Sequence, residues 1–176
     1  MGNTKPYNTL FLDRDGVINK QRPHDYVKSV DEFIFLDGAL EALRLLKPLF
    51  THIVIVTNQR GVGKGVMSQT DLDNIHAYMI KEIVKHGGRI DKIYVCTDTS
   101  NYSKNRKPNI GMALQAKEDF PDIDFPQSMM AGDSISDMQF AKNAGIKGVF
   151  IENKYGPAEV SKTLYQAHYT DLLSFA

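Results

Sequence analysis

Short apolar runs alternate with longer amphipathic segments along the chain, and this alternation restricts the possible folds more than any other sequence feature. The runs lie at 53–56, 93–96, 129–131, 148–151, and 10–12 with the residues before it. The segments between them lie at 39–46, 71–85, 111–119 and 136–143. Strands that alternate with helices indicate βαβ units. The chain is therefore predicted to form an α/β fold with a doubly wound, Rossmann-like parallel sheet covered by helices on both faces.

Two of the amphipathic segments have clear helical spacing. Their apolar residues recur one helical turn apart, at Leu40, Leu43, Leu46, Leu72, Ile75, Met79 and Ile83. We expect Thr70 and Asp71 to cap the start of the second helix, and Gly87-Gly88 to end it. His76 falls within this helix and is expected on its surface.

Length and charge narrow the class of protein. The 176 residues suit one domain over residues 1–176. The 21 basic and 21 acidic side chains cancel, which argues against nucleic acid or a membrane surface as partner. No apolar run approaches the ~20 residues that a membrane helix needs. Cys96 stands alone, so we expect no disulfide and a cytoplasmic location. We also expect the protein to be a monomer.

Polar side chains follow most of the apolar runs, at the point where each predicted strand ends. They are Asp13 and Asp15 after the first run, Thr57, Asn58, Gln59 and Arg60 after the second, Arg106 and Lys107 beyond the third, and Asp133 and Asp137 after the fourth. Each group alone is compatible with ordinary turn chemistry. Ligands of open α/β sheets bind beyond the carboxyl ends of the strands, so the groups together predict one site.

This set of side chains suits phosphoryl transfer. Mg²⁺ prefers carboxylate oxygens, which Asp13 and Asp133 can supply. A carboxylate can also attack phosphorus and form an aspartyl-phosphate. Asp15 could protonate the leaving oxygen and later activate water. Thr57 and Lys107 can hold the phosphoryl oxygens, over which the charge of the transition state spreads.

The strand-end residues resemble the four motifs of the haloacid dehalogenase (HAD) superfamily of phosphohydrolases. The motifs match in order as Asp13-x-Asp15, Thr57, Lys107 and Gly132-Asp133-x-x-x-Asp137. More narrowly, the stretches 11–19, 25–27, 33–38, 57–59 and 106–108 are similar to the family of D-glycero-D-manno-heptose 1,7-bisphosphate phosphatases and histidinol phosphatases. The similarity extends over about 7–151, and the last ~25 residues are uninformative.

The resemblance implies a role for each residue. Asp13 would be the nucleophile and a Mg²⁺ ligand, and Asp15 the general acid and base, with its backbone carbonyl on the metal. Asp133 would be the third protein ligand and Asp137 a supporting carboxylate. The residues that would contact the rest of the substrate are Arg14, Asn58, Gln59, Arg60 and Arg106. The implied substrate is heptose 1,7-bisphosphate, hydrolysed at its C7 phosphate, with histidinol phosphate or another small phosphate ester as the alternative.

Non-enzymatic alternatives fit the residues less well. A phospho-receiver domain also has a doubly wound sheet, an acidic cluster, a Thr and a Lys, but Asp15 would have no function there. An inactive binding protein should have lost Asp13 or Asp15, and both are present. The glycines at 61, 63 and 65 do not form a P-loop, because position 58 is Asn and position 65 is not Ser or Thr.

Two departures from the resembling proteins lead to further expectations. The intervals from Asp13 to Thr57 and from Thr57 to Lys107 are too short for a cap domain, so the core should be capless. Much of the family has a structural zinc in the loop before Arg-Lys-Pro, with a Cys-Pro-His start and a Cys-x-Cys end. Cys96 remains here, but the other positions hold Asp98, Ser103 and Asn105, so we expect no zinc.

Overall fold

The strands assemble into a parallel sheet, as the alternation of apolar runs predicts. The structure, a computed structural model, describes residues 4–153 and 159–176. The strands are β1 (Tyr7–Leu12), β2 (Phe50–Asn58), β3 (Lys92–Cys96), β4 (Met129–Gly132), β5 (Lys147–Ile151) and β6 (Ala167–Tyr169). Their order is β3-β2-β1-β4-β5-β6, and all neighbours run parallel. The predicted doubly wound α/β fold is confirmed.

Helices cover both faces of this sheet. They are α1 (Ala39–Leu46), α2 (Arg60–Gly63), α3 (Gln69–Lys85), α4 (Gly111–Asp119), α5 (Ile135–Ala144) and α6 (Leu172–Phe175). Successive residues of β1 point to opposite faces, so Leu10 and Leu12 pack with α1 and α3, whereas Phe11 packs with α4 and α5. All three β1 side chains are fully buried. Burial on both faces explains why the strand sequences read as continuous apolar runs.

The chain reverses its direction of travel across the sheet at β1. It proceeds from β1 to β2 and β3 on one side, and then crosses over to β4, β5 and β6 on the other. Leu12 of β1 pairs in register with Ala131 of β4, and the N–H of Asp13 donates to the carbonyl of Ala131 (3.0 Å). The loops after β1 and β4 therefore meet at the switch point, where ligands of such folds bind.

One local expectation needs correction. α3 begins two residues earlier than expected, with Ser68 as its N-cap and not Thr70 or Asp71: the Ser68 hydroxyl accepts from the Asp71 N–H, and the Asp71 carboxylate accepts from the Ser68 N–H. Asp71 thus completes a capping box at the third helical position and is not the cap itself. The end of the helix is as predicted, with Gly87 at a φ of +88°.

The C-terminal segment lies beyond the four motifs. It supplies the edge strand β6 and the short helix α6. Tyr165 stacks on Phe150 with ring centroids 5.5 Å apart, and Tyr169 contacts Phe175 at 5.6 Å, as expected of aromatic residues that pack this segment onto the sheet. Tyr155, assigned the same function, lies outside the described residues. A strand of three residues has too little alternation to be seen in the sequence.

Within residues 4–153 and 159–176, no extra folded unit interrupts the core. One 3₁₀ turn (Val30–Glu32) and α1 lie between β1 and β2, and α2 and α3 lie between β2 and β3. The capless architecture expected from the short intervals is therefore what the described chain shows. None of its helices combines the length and the apolar character that crossing a membrane requires.

Candidate active site

Three carboxylates converge at the switch point. Asp13 follows β1, Asp133 follows β4, and Asp137 lies in the first turn of α5. One oxygen from each lies within 4.8 Å of the others. Parallel strands end at the same edge of the sheet, which is why residues 120 positions apart in the chain meet here.

Asp137 is held in place by the start of α5. Its carboxylate accepts from the N–H groups of Asp133 (3.1 Å) and Ser134 (3.2 Å), while the Ser134 hydroxyl accepts from the Asp137 N–H (3.1 Å). Gly132 allows this approach, because a Cβ there would lie 2.3 Å from the Cβ of Asp137. Asp137 therefore completes a capping box with the N-cap Ser134 and supports the loop that positions Asp133.

Lys107 lies between two of the carboxylates. Its ammonium donates to Asp13 (2.9 Å) and to Asp137 (2.7 Å), and its side chain is only 3% exposed. Burial alone would lower the pKa of Lys107, but the two carboxylates raise the pKa above its ordinary value. Asn58 fastens the backbone of Lys107, since its amide accepts from the Lys107 N–H (3.1 Å) and donates to the Lys107 carbonyl (3.3 Å).

One ammonium does not balance the three carboxylates. Burial, together with the charges of Asp137 and Asp133, raises the pKa of Asp13 well above its ordinary value. Burial and the charge of Asp137 likewise raise the pKa of Asp133 to about 6. The cluster therefore has excess negative charge, which a bound cation would relieve.

Asp15, which also borders the site, has the opposite electrostatic environment. Its Oδ1 accepts from Arg14 (2.9 Å) and Asn19 (2.8 Å), and its Oδ2 accepts from Gln59 (2.9 Å). Burial would raise the pKa of Asp15, but the charge of Arg14 and these hydrogen bonds lower it. In the ligand-free protein Asp15 is therefore a carboxylate.

Arg14 does not contact the substrate region, contrary to the sequence-based expectation. Its side chain is fully buried behind Asp15, where one Nη bonds Asp15 and the other bonds His76 (3.1 Å). The guanidinium also lies over the Phe33 ring, 5.8 Å from its centroid. Strand alternation explains the error, because Arg14 points to the face of the sheet that α3 covers, away from the site. His76, expected on the surface of its helix, is partly buried, because its ring lies against Arg14.

Two cavities that share three lining residues mark the space available to a ligand. One, of about 150 Å³, is lined by Asp13, Lys107 and Asp133. The other, of about 130 Å³, extends toward Tyr26, and both are bordered by Asp15, Asn58 and Gln21. Thr57, the remaining predicted catalytic residue, is 1% exposed, and its hydroxyl accepts from Gln59 (2.9 Å). Most of the predicted residues thus line these cavities, whereas Thr57, Arg60 and Arg106, like Arg14, are not among the lining residues.

Arg60 and Arg106 lie near each other, and Arg106 is also close to Tyr26, which lines the second cavity; this pair of arginines is called the rim below. Burial and the neighbouring charge of Arg60 lower the pKa of Arg106. Arg60 donates through Nη2 to the neutral side chain of Asn101. The Nε of Arg60 and one Nη of Arg106 are buried and have no hydrogen-bond partner in the described parts of the chain. Buried donors on two adjacent cations are ready to bind an anion.

The loop at the expected zinc position is held by hydrogen bonds among oxygen-bearing side chains. The Ser103 hydroxyl donates to Asp98 and accepts from the Asn105 N–H (3.3 Å), and Cys96 lies 3.9 Å from the same hydroxyl. A structural zinc site needs four ligands, which are nearly always Cys or His. One thiol beside a serine, an aspartate and an asparagine does not fit that requirement.

Sequence reasoning missed His76, Asn19 and Asn153. Asn153 follows β5 and donates to Asp133 (3.3 Å), so it is a strand-end polar residue that the search for such residues could have included. The spacing of α3 also held a signal, because His76 is four residues after Leu72 and follows Ile75, next to the buried stripe.

The fold and this cluster define a phosphohydrolase of the HAD type. The chain belongs to the polynucleotide kinase 3 phosphatase family, whose model matches residues 8–155. The chain is 40% identical over 145 residues to D-glycero-alpha-D-manno-heptose-1,7-bisphosphate 7-phosphatase of Campylobacter jejuni, covering 82% of each protein. Identity to the Mycobacterium tuberculosis enzyme of the same name is 39% over 169 residues, covering 95% of this chain and 88% of that one.

A solved structure supports the same assignment. D,D-heptose 1,7-bisphosphate phosphatase from B. bronchiseptica, crystallised with magnesium and phosphate, aligns with a TM-score of 0.86 and 30% identity. The alignment covers 96% of this chain and 95% of that one. The resemblance drawn from the motifs is therefore confirmed, and the chain is a phosphatase of this group.

Proposed function

We propose that this protein is a Mg²⁺-dependent phosphatase that removes the C7 phosphate of D-glycero-D-manno-heptose 1,7-bisphosphate through an aspartyl-phosphate. The observation that supports it most is the buried cluster in which Lys107 joins Asp13 to Asp137 beside Asp133. The similar curated proteins act on this substrate by name. A receiver domain or an inactive binding protein would not need Asp15 next to the nucleophile.

The donor set fits Mg²⁺. Asp13 and Asp133 offer carboxylate oxygens with raised pKa values, which is the environment that a hard divalent cation would neutralise. Asp137 is already engaged by Lys107 and by backbone N–H groups, so we assign it a supporting role. The backbone carbonyl of Asp15 would be the further protein ligand. When bound, the cation would offset the charge of the phosphoryl oxygens.

In the first half of the reaction an Asp13 oxygen forms a bond to phosphorus as the bond to the sugar oxygen breaks. Asp15 gives its proton to that oxygen, which leaves as the sugar hydroxyl. Asp15 is ionised in the ligand-free protein, and the dianionic phosphate raises the pKa of Asp15 when it binds beside it. Lys107 stays protonated and holds both Asp13 and the phosphoryl group.

In the second half, water attacks the aspartyl-phosphate. Asp15, now a carboxylate, takes a proton from the water as the oxygen–phosphorus bond forms, and the bond between phosphorus and Asp13 breaks. The products are inorganic phosphate and the free Asp13 carboxylate, with Asp15 again protonated. One residue thus serves as acid and then as base, because the proton that it gives is replaced from the water.

We assign the second phosphate of the substrate to Arg60 and Arg106. Each has a donor without a partner in the described residues, and Arg106 lies close to Tyr26, which lines the second cavity. The Tyr26 ring covers Gly61, where a Cβ would approach it to 2.9 Å, and this contact brings the loop at 21–26 against the short helix α2, which carries Arg60. A capless core leaves such loops to determine specificity.

The test is a comparison of kcat/KM over phosphate esters with Mg²⁺ present. The panel contains both anomers of heptose 1,7-bisphosphate, heptose 7-phosphate and histidinol phosphate. A 3′-phosphorylated oligonucleotide is included because the chain belongs to the polynucleotide kinase 3 phosphatase family. We expect a heptose bisphosphate to have the highest kcat/KM. A higher value for histidinol phosphate or the oligonucleotide would refute the substrate assignment, and no turnover of any ester would refute the proposed activity.

A further inference from the structure

The general acid and base is connected through the protein interior to a helix on the far face of the sheet. Arg14 donates to Asp15 Oδ1 at 2.9 Å, and its other Nη lies 3.1 Å from Nε2 of His76 on α3. Arg14 has no exposed surface. These contacts link residues 62 positions apart, and neither Arg14 nor His76 lines the two cavities at the catalytic cluster.

The direction of the bond between Arg14 and His76 follows from chemistry. A guanidinium offers only donors, so Nε2 of His76 must accept, and the ring must be neutral with its proton on Nδ1. Burial and the charge of Arg14 lower the pKa of His76 to about 4, in agreement with a neutral ring. His76 is therefore a fixed acceptor that orients the guanidinium.

The oxygens of Asp15 have unequal numbers of donors. Oδ1 accepts from Arg14 and Asn19, whereas Oδ2 accepts only from Gln59. A carboxylate oxygen has about two sites for hydrogen bonds, so Oδ1 is saturated and Oδ2 retains one. Oδ2 is thus the oxygen that can carry the proton for the leaving group.

We infer that Arg14 and His76 are positioning residues that occupy Oδ1 of Asp15 and leave Oδ2 as the oxygen that transfers the proton. The inference rests on the proposed function, because it requires Asp15 to be the acid and base. In the first half of the reaction the proton passes from Oδ2 to the leaving oxygen as its bond to phosphorus breaks. In the second half Oδ2 takes a proton from the attacking water.

The test compares two leaving groups. An alkoxide needs a proton as it leaves, whereas p-nitrophenolate is a stable anion and leaves without one. Because kcat/KM reports the steps through release of the leaving group, it isolates the first half of the reaction. His76→Leu removes the acceptor of Arg14. We expect kcat/KM to fall about 10-fold or more for the sugar phosphate, part of the 10²–10⁴-fold that proton transfer supplies, and to change less than 2-fold for p-nitrophenyl phosphate.

Three further variants complete the design. His76→Gln places an amide oxygen near the position of Nε2 and should restore kcat/KM for the sugar phosphate to within about 3-fold of the wild type. Arg14→Lys keeps the buried charge but cannot bridge Asp15 and His76, so it should reproduce the selective loss and tests the inference if His76→Leu does not fold. His52→Leu is the control, because it removes a partly buried histidine that pairs with Asp122 away from the site. It should leave kcat/KM unchanged for both substrates.

The outcomes separate the inference from the proposed function. Equal losses for both substrates in His76→Leu and Arg14→Lys, or no loss in either variant, would overturn the positioning role while leaving the phosphatase intact. Failure of His76→Gln to restore activity, in a variant with an unchanged melting temperature, would also overturn it. A wild-type protein that hydrolyses neither ester would instead overturn the proposed function.

Discussion

The catalytic cluster and the arginine rim lie at the same edge of the sheet but have opposite charge deficits. In the cluster, Asp13, Asp133 and Asp137 share one ammonium, that of Lys107. At the rim, Arg60 and Arg106 are near each other, and the described residues offer their two buried donors no partner. The first region lacks positive charge and the second lacks negative charge.

This difference indicates that the catalytic cluster and the arginine rim have separate functions. The cluster is buried and held by a helix cap, a strand register and a buried ion pair, so its geometry exists before any ligand binds. Its excess charge suits a cation that then contacts the phosphoryl oxygens. The rim is built from the short helix α2, which carries Arg60, and the loop that carries Arg106, and it suits the anionic remainder of a bisphosphate. Changes in the cluster should therefore alter the chemical step, and changes at the rim should alter the choice of substrate.

The largest effect is expected at the two carboxylates after β1. Asp13→Asn should abolish turnover, because an amide is a poor nucleophile and a weaker metal ligand. Asp15→Asn should reduce kcat for sugar phosphates by about 10²–10⁴-fold, yet leave phosphoryl transfer from p-nitrophenyl phosphate partly intact. Steady-state rates and the burst of p-nitrophenolate measure the two effects. Retained activity in the Asp13 variant would contradict the mechanism.

A substitution at the rim should lower kcat/KM for the bisphosphate more than for the monophosphate. Arg106→Gln is expected to lower kcat/KM for heptose 1,7-bisphosphate by about 10- to 100-fold, since a hydrogen bond to a charged group contributes ~1.5–3 kcal/mol. Heptose 7-phosphate, which lacks the second phosphate, should lose less than about 3-fold. Arg44→Gln, which breaks only an exposed pair with Glu41, serves as the control. Equal losses for both sugars would show that the two regions are not divided in this way.

The charge deficit of the cluster predicts how Mg²⁺ binding depends on pH. The pKa of Asp133 is raised to about 6, so a proton replaces the cation below that pH. For the metal-free protein the sign follows from linkage: the stability associated with a raised carboxyl pKa is complete below about pH 4 and is lost as the pH rises through 6. Mg²⁺ should restore it at neutral pH.

Thermal unfolding with and without Mg²⁺ measures this dependence. At ten times the dissociation constant, Mg²⁺ should raise the melting temperature by about 3 °C at pH 7.5 and by much less at pH 5. Asp133→Asn should remove most of the shift at both pH values, whereas Ser136→Ala should retain it. An increase in melting temperature that is equally large at pH 5 would show that Mg²⁺ binds away from Asp133.

The smallest effect is expected at Cys96, on the strand that leads into the rim. If hydrogen bonds around Ser103 hold this loop, the protein purified without added zinc should contain none, and Cys96→Ser should leave kcat/KM within about 2-fold of the wild type. Elemental analysis and the substrate panel give both values. If the wild type contains one zinc per chain and Cys96→Ser contains none, the prediction is contradicted. That result would show that the loop leading to Arg106 binds a metal.

The parts of the fold that could be predicted from the sequence have strong local patterns. α1 and α4 have the predicted bounds, and each predicted strand lies within an observed one. Residues 39–46 repeat their leucines with helical spacing, and the buried strands are continuously apolar. β6 could not be found in this way, because its three residues are held by pairing with β5 and not by a pattern of their own.

The sequence by itself determined which polar side chains follow the strands. It also determined that these side chains converge, because parallel strands bring their carboxyl ends to one edge whatever the details of packing. It could not determine where each side chain points. Arg14 stands between two site residues in sequence, yet it lies in the core and bonds His76, 62 positions away. Only the tertiary structure decided this, since a buried cation takes the direction in which distant elements supply its partners.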